Sequence, residues 1–367
     1  MKILHVYKDY PPIVGGIENH LRLLAEGQAA AGHEVTVLVT NQARVTTMRT
    51  LNGVRVIRAA RLACVASTPL SLALPWALSQ QRPDVAHLHF PYPLGEVSQH
   101  LLGRSRHTVV TYHSDVVRQK RILRLYRPIM LRVMRSVDRI IVSTPRYLAT
   151  SATLRLFRDK CRVVPYGVDR RRFLGAPSQD ARALRRRYGG GPLILFVGVL
   201  RYYKGVNFLL DAMPKVPAKL LVVGEGPMGR AWRAKAKQLG LADKVIFVGR
   251  VSDDELPLYY HATDLFVLPA SQRSEAFGLV QIEAMSAGIP VVSTEVGTGT
   301  SYVNRHEESG LVVPPRNPDA LAEAINALLT DEALRRRLAE GALARSACFS
   351  VERMLSAIED VYRELDA

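Results

Sequence analysis

The chain has little cysteine. Cys64, Cys161 and Cys348 are three in 367 residues, odd in number and far apart. That leaves no basis for a disulfide framework or a structural zinc site. Long apolar runs are also scarce. Only Leu62 to Gln80 is uncharged for the length of a span, and Pro69 and Pro75 interrupt it. A loop and a helix packed under the next strand are expected there. No signal-peptide pattern precedes the first apolar run, since Met1-Lys2 leads straight into Ile3-Leu4-His5-Val6. A cytoplasmic location is the expectation. Acidic residues are scarce in one half only. Residues 1–188 hold 31 Lys+Arg against 11 Asp+Glu, whereas residues 189–367 hold 19 against 22. A one-sided basic excess points to an anionic partner: a membrane surface, a lipid pyrophosphate or nucleic acid. The basic residues are not interleaved with a nucleic-acid-binding motif, and nucleic acid is not expected.

What is present is a soluble-protein composition, 48% hydrophobic and 23% charged, in a chain long enough for two domains. Short apolar runs alternate with helical patterns. In the first half they are Ile3–Tyr7, Val35–Val39, Val54–Arg58, Val85–Leu88, Thr108–Thr111, Arg139–Val142 and Arg162–Val164. In the second half they are Leu193–Val197, Lys219–Val223, Val245–Val248, Leu265–Leu268, Val291–Ser293 and Leu311–Val313. Nearly continuous apolar strands read as parallel sheets covered on both faces. Two such series predict an α/β chain of two Rossmann-like domains, residues 1–180 and 181–350, with a final helix (351–367) packing back on the first. Ligands are expected beyond the carboxyl ends of the strands.

Chemistry concentrates in Glu275-Ala276-Phe277-Gly278-Leu279-Val280-Gln281-Ile282-Glu283. The segment follows an apolar strand and opens a helix, whose first N–H groups suit a phosphate. Gly278 lets backbone approach a ligand, Glu275 can accept from sugar hydroxyls, and Glu283 can hold a ribose. A second segment, Gly198-Val199-Leu200-Arg201-Tyr202-Tyr203-Lys204-Gly205, puts Arg201 and Lys204 at a strand end. Fixed cations there would stabilise a leaving diphosphate without a metal.

In order and spacing, these two segments resemble the retaining glycosyltransferases of family 4, which have the GT-B fold. The resemblance covers nearly the whole chain. It implies parallel sheets facing an interdomain cleft. It also implies that Gly15 and Gly16, in Asp9–Ile17, approach the donor phosphate and sugar. His113, in Thr111-Tyr112-His113-Ser114-Asp115, is the implied active-site histidine. Gly224 lies in the implied second glycine loop, and Arg250 and Val251 wall the base pocket. Glu275 would bind the donor sugar; Phe277, Gly278 and Leu279 would hold sugar and phosphate by backbone; Glu283 would hold the ribose. One position departs: many members carry Gly-Arg-Leu where this chain has Gly198-Val199-Leu200, and Arg201 is expected to take that arginine's role. The family is thought to react on one sugar face, with the leaving phosphate taking the acceptor's proton.

The segment Gly297–Asn304 is similar to that of bacterial mannosyl- and rhamnosyltransferases of O-antigen assembly. A GDP-sugar is therefore the favoured donor, with UDP-sugars second and a sugar-nucleotide epimerase as the rival activity. The implied acceptor is a lipid-linked saccharide. In Val116–Arg135, Arg118, Lys120, Arg121, Arg124, Arg127, Arg132 and Arg135 fall on one half of a helical wheel. Ile122, Leu123, Tyr126, Ile129, Met130, Val133 and Met134 fall on the other, and Pro128 is expected to split or kink the helix. Such a basic amphipathic helix suits an enzyme resting peripherally on the cytoplasmic face of the inner membrane. His87 and His89 are read as pointing to opposite strand faces and forming no metal pair. No metal is expected.

Overall fold

The computed structural model describes residues 1–13, 15–65, 68–115 and 120–366, without the side chains of 120–123. The chain forms two compact units. One comprises Met1–Gly167 and Val351–Ala367; the other is Val168–Ser350.

The first unit is built on β1 (Lys2–Val6), β2 (Glu34–Thr40), β3 (Thr47–Leu51), β4 (Val54–Ala59), β7 (Val85–Phe90), β8 (His107–Tyr112), β9 (Arg139–Val142) and β10 (Cys161–Val163). They lie in the order β10-β9-β8-β7-β1-β2-β4-β3. All pairs are parallel except β3 with β4. The strand β3 was not legible, because its residues after Thr47 are exposed and carry no apolar run. A small hairpin, β5 (Ala63–Val65) with β6 (Thr68–Leu70), precedes helix α2 (Ala73–Ser79). The uncharged segment is thus a hairpin and a short helix. No helix among the described residues is long and apolar enough to cross a membrane.

Helices α1 (Gly16–Ala30), α3 (Pro93–Leu102) and α4 (Lys120–Ser136) join the same unit. The helix α4 runs without a break through Pro128. Residues 116–119 of the basic segment lie outside the described residues. Met130, Val133 and Met134 are core, and Arg124, Arg127, Arg132 and Arg135 are exposed. Ile129, placed on the apolar half, is 48% exposed, as is Leu125 at 82%. The C-terminal helix (Val351–Arg363) buries Met354, Ile358, Val361 and Tyr362 against Ile3, Leu24, Val85, Val109 and Ile141.

The second unit has one wholly parallel sheet among its described residues. Its strands are β11 (Leu193–Val197), β12 (Lys219–Val223), β13 (Val245–Gly249), β14 (Leu265–Leu268), β15 (Val291–Thr294) and β16 (Gly310–Val313). Their order is β13-β12-β11-β14-β15-β16. Residues 168–180 go with this unit: Val168 N–H donates to Phe349 O at 2.9 Å, and the Phe173 ring meets Tyr260 edge-on at 5.4 Å.

Each sheet has a point where the order of strands reverses. It lies between β11 and β14 in the second unit and between β1 and β7 in the first. Loops leaving two strands at such a point diverge and open a crevice at their carboxyl ends.

Candidate functional site

In the second unit, Arg201 and Lys204 leave β11, and Glu275 follows β14. These are the two strands at the reversal. Two features draw their loops together. Ser271 N–H donates to Tyr203 O at 2.8 Å. Gly205 has φ +70°, and a Cβ there would stand 1.9 Å from Pro269 O. Only glycine permits both that conformation and that approach. As a result Lys204 Nζ lies 2.7 Å from Glu275 Oε2, with the side chains 11% and 9% exposed. Burial lowers the Lys204 pKa, but Glu275, Tyr203 and Glu283 together raise it above its ordinary value. Lys204 is therefore a cation at neutral pH. Arg201 is exposed and stands immediately before the short turn Tyr202–Lys204.

The Glu275 loop is propped from β15. Thr298 Oγ1 donates to Glu275 O at 2.6 Å, and Gly299 N–H donates to Ala276 O at 2.7 Å. Gly278 caps the helix Leu279–Ser286 with φ +80° and, as glycine, supplies no side-chain cap; among the described residues no side chain takes up the first turn's N–H groups. The Gln281 N–H turns back to Gly278 O at 2.9 Å; the N–H groups ahead of it and the N-terminal dipole suit an anion. Phe277 is 3% exposed and packs on Phe349, which leaves its backbone as the usable part. Glu283, one turn into the helix, accepts from Tyr260 OH at 2.7 Å. Burial raises its carboxyl above the usual range; Tyr260, Arg172 and Lys204 partly offset this. Tyr260 is buried and went unrecognised, because no pattern ties residue 260 to residue 283.

Gly224 follows β12 and donates its N–H to Gly249 O at 2.7 Å. Arg250, exposed, and Val251 continue from that point at the end of β13. Beside them is an open cavity of about 450 Å³ lined by Leu200, Glu225, Gly226, Gly229, Arg230 and Arg233. The two arginines lie on a helix surface, where a sequence pattern does not distinguish them from solvated residues.

In the first unit, Gly15 and Gly16 begin α1, with Gly15 extended as its cap. A Cβ at Gly15 would lie 2.1 Å from Glu18 Oε2. His113 follows β8 and is 2% exposed. Its Nε2 lies 2.9 Å from His89 Nδ1 and its Nδ1 lies 2.7 Å from Tyr166 OH. Both ring nitrogens are thus engaged by side chains. Asp115 accepts from Tyr112 OH at 3.0 Å and from Ser151 OH at 2.7 Å, which ties it to the local scaffold.

The reading of His87 and His89 as facing opposite ways is wrong. Strand side chains alternate with period two, so positions 87 and 89 share a face and Leu88 takes the other. The two rings stack 4.8 Å apart at 9°. They belong to a group of five buried histidines with His5, His20 and His113. Burial depresses all five: His5 to about 4, His20 to about 3, and the others well below the ordinary value. Two trios, His5-His87-His89 and His20-His89-His113, each bring one ring nitrogen per residue within 4.8 Å of the others. Among the described residues, His20 has no hydrogen-bond partner at either nitrogen. The remaining four are linked into a hydrogen-bonded network. Only β1, β7, β8 and α1 together assemble this group, so its members are scattered in sequence.

A model of glycosyltransferase family 4 matches residues 14–172, and a model of glycosyl transferases group 1 matches residues 178–345. Over 370 residues, 100% of this chain and 99% of the relative, the chain is 37% identical to the O-antigen chain mannosyltransferase C of Escherichia coli. The chain belongs to glycosyltransferase family 4. The family 4 chain is also 40% identical to the D-rhamnosyltransferase WbpZ of Pseudomonas aeruginosa, over 89% of this chain and 86% of that one. Among solved structures it superposes on a sucrose-phosphate synthase of Thermosynechococcus elongatus with TM-score 0.83 and 26% identity, covering 99% and 98% of the two chains. WaaG, a glycosyltransferase involved in lipopolysaccharide biosynthesis, shares the fold at TM-score 0.70, covering 98% and 99%. The protein is therefore a GT-B glycosyltransferase, and the two model matches fall one in each sheet-bearing unit.

Proposed function

We propose that this family 4 enzyme moves mannose or rhamnose, with retention and without a metal, from a GDP-sugar to a lipid-linked or growing saccharide of a cell-surface polysaccharide. The observation that carries the donor half is the Lys204–Glu275 pair, set beside a helix start whose N–H groups no side chain caps. The pair supplies opposite needs from one place. Lys204, with Arg201 and the helix N-terminus, answers the charge that builds on the diphosphate as the sugar–phosphate bond breaks. Glu275 accepts from hydroxyls of the sugar. The acceptor oxygen bonds to the anomeric carbon on the face the phosphate leaves, and its proton passes to the leaving phosphate. The activities of the two relatives near 40% identity, a mannosyltransferase and a rhamnosyltransferase, support mannose or rhamnose as the sugar.

Thermal stability measured with GDP, UDP, ADP and dTDP, each with its sugars, tests the donor. GDP-mannose or GDP-rhamnose is expected to raise the midpoint most. Stabilisation by none would sink the donor reading, and a preference for UDP-sugars would replace it. Conversion of the donor to an epimeric sugar without an acceptor would mark the epimerase instead. Unchanged turnover in EDTA is expected of a metal-independent enzyme, and an inverted anomer in the product would refute retention.

The partner of the first unit is read as an anionic membrane. Leu72 (78% exposed) and Trp76 (67%) flank the start of α2 and its middle, Leu101 and Leu102 end α3, and Leu125 and Ile129 face outward on α4. These three helices pack in series, α2 on α3 and α3 on α4. Exposed apolar side chains on these helices, together with the exposed Arg124, Arg127, Arg132 and Arg135 of α4, suit anionic lipid. Trp76 reports directly, since the other tryptophan, Trp232, is buried. Its emission should shift to the blue with phosphatidylglycerol vesicles and remain unchanged with phosphatidylcholine.

A further inference from the structure

The buried histidines form a chain with a direction. His113 Nε2 meets His89 Nδ1 at 2.9 Å, His89 Nε2 meets His5 Nδ1 at 3.2 Å, and His5 Nε2 meets Gln28 Oε1 at 2.7 Å. Gln28 Nε2 in turn donates to Tyr362 OH at 3.4 Å, and Tyr362 OH lies 2.5 Å from His87 Nδ1. His5, His87 and His89 are each at most 1% exposed, and Gln28 is 4% exposed.

A neutral imidazole carries one N–H and one lone pair, so each ring must donate at one nitrogen and accept at the other. The Gln28 carbonyl only accepts, so His5 carries its proton on Nε2. His5 Nδ1 then accepts, which puts the His89 proton on Nε2. His89 Nδ1 accepts in turn, which puts the His113 proton on Nε2. His113 Nδ1 is left as an acceptor for Tyr166 OH, 2.7 Å away. At the other end, the Tyr362 hydroxyl accepts from the amide and donates to His87 Nδ1. The His87 Nε2 proton then goes to Thr111 Oγ1 at 2.6 Å. Every ring nitrogen in the chain is satisfied. Turning the one amide over would reverse each bond, and with it the proton on His113.

We propose that Gln28 is a positioning residue. Through His5 and His89 its amide oxygen holds the His113 proton on Nε2, while the Tyr362 hydroxyl of the C-terminal helix takes the amide N–H. The link to transfer rests on the reading of His113 as lying near the reacting sugar; the ordering of protons does not.

Nitrogen-15 spectra of the full chain, labelled in histidine, separate the two. At pH 8 the wild type should show His5, His89 and His113 as Nε2–H tautomers. In Gln28→Leu the His5 Nε2 proton would be buried without an acceptor, which costs more than an idle lone pair. The chain should therefore reverse, and His113 should become the Nδ1–H tautomer. Tyr166→Phe removes the partner at the far end and leaves only a lone pair idle, so the His113 Nε2–H signal should persist. An Nδ1–H signal for His113 in the wild type overturns the proposal. An unchanged tautomer in a folded Gln28→Leu does the same, as does a reversal in Tyr166→Phe. The last measurement decides the matter should Gln28→Leu not fold. In the Gln28→Leu enzyme kcat is expected to fall about tenfold with the donor KM unchanged. A reversed tautomer with unchanged kcat would overturn the role of His113 in transfer and leave the wire standing.

Discussion

At the residue scale, the Lys204–Glu275 pair makes asymmetric demands. Each charge is nearly buried and each is the other's counter-ion. Removing one leaves the other unpaired in a poorly solvated place. Glu275→Ala is expected to abolish transfer, because the sugar loses its acceptor. It should leave GDP binding intact or tighter, because the freed lysine turns wholly to phosphate. Survival of transfer would show that the role given to Glu275 is wrong. Lys204→Ala should instead weaken GDP binding and destabilise its unit by about 3 kcal/mol, measured by urea unfolding. Both residues were legible as members of separate motifs, and each could be placed at a strand end. Their pairing was not legible, since 71 positions of chain separate 204 from 275 and only the β11–β14 neighbourhood joins them.

At the element scale, the site depends on how closely loops approach. Gly205 is the tightest case, because the obstacle is the Pro269 carbonyl and not a mobile side-chain end. Gly205→Ala is therefore expected to cost on the order of 2 kcal/mol and to separate Lys204 from Glu275. A parallel loss of GDP-sugar affinity would be read by calorimetry; retained affinity would contradict the stapled-loop account. The strands themselves were well marked, because parallel strands buried on both faces read as continuous apolar runs. The exposed β3 and the β5–β6 hairpin gave no such signal. The histidine pair on β7 was misread by ignoring the two-residue period, and the basic helix was only half right. Arg124, Arg127, Arg132 and Arg135 are exposed as the wheel implied, but Ile129 on the apolar half is also outward.

At the scale of the molecule, two consequences follow from how the chain is distributed. The C-terminal helix supplies Met354, Ile358, Val361 and Tyr362 to the core of the first unit. Four such side chains at about 1.5–3 kcal/mol each rival the whole stability of a domain. Truncation after Ser350 should leave that unit unfolded, as judged by amide exchange, while the parallel sheet of the second unit stays protected. The second consequence concerns pH. The five buried histidines refuse protons that the unfolded chain accepts near pH 6.5. Their contribution is present above that pH and is lost as pH falls through it, by up to about 1.4 kcal/mol per pH unit for each. Glu96 has the opposite sign. Burial lifts its carboxyl to about 7, so it costs stability as pH rises from about 4.5 to 7. Glu283, whose carboxyl burial also raises, shares that sign; five groups outweigh two, and the urea midpoint should drop steeply between pH 6.5 and 4. A flat profile would mean that the histidines are hydrated or charged in the fold.

The sequence by itself determined the class of the molecule: two α/β units and most of the strands that run through them, with the loops in which chemistry is expected. Those are local properties, set by apolar periodicity, by glycine and by the ends of helices. Only the tertiary structure decided which loops meet. Strand order is a long-range choice, made by packing and not by any nearby residue. That choice pairs Lys204 with Glu275, and it gathers His5, His87, His89 and His113 with Gln28 and Tyr362 into one network, against which His20 packs.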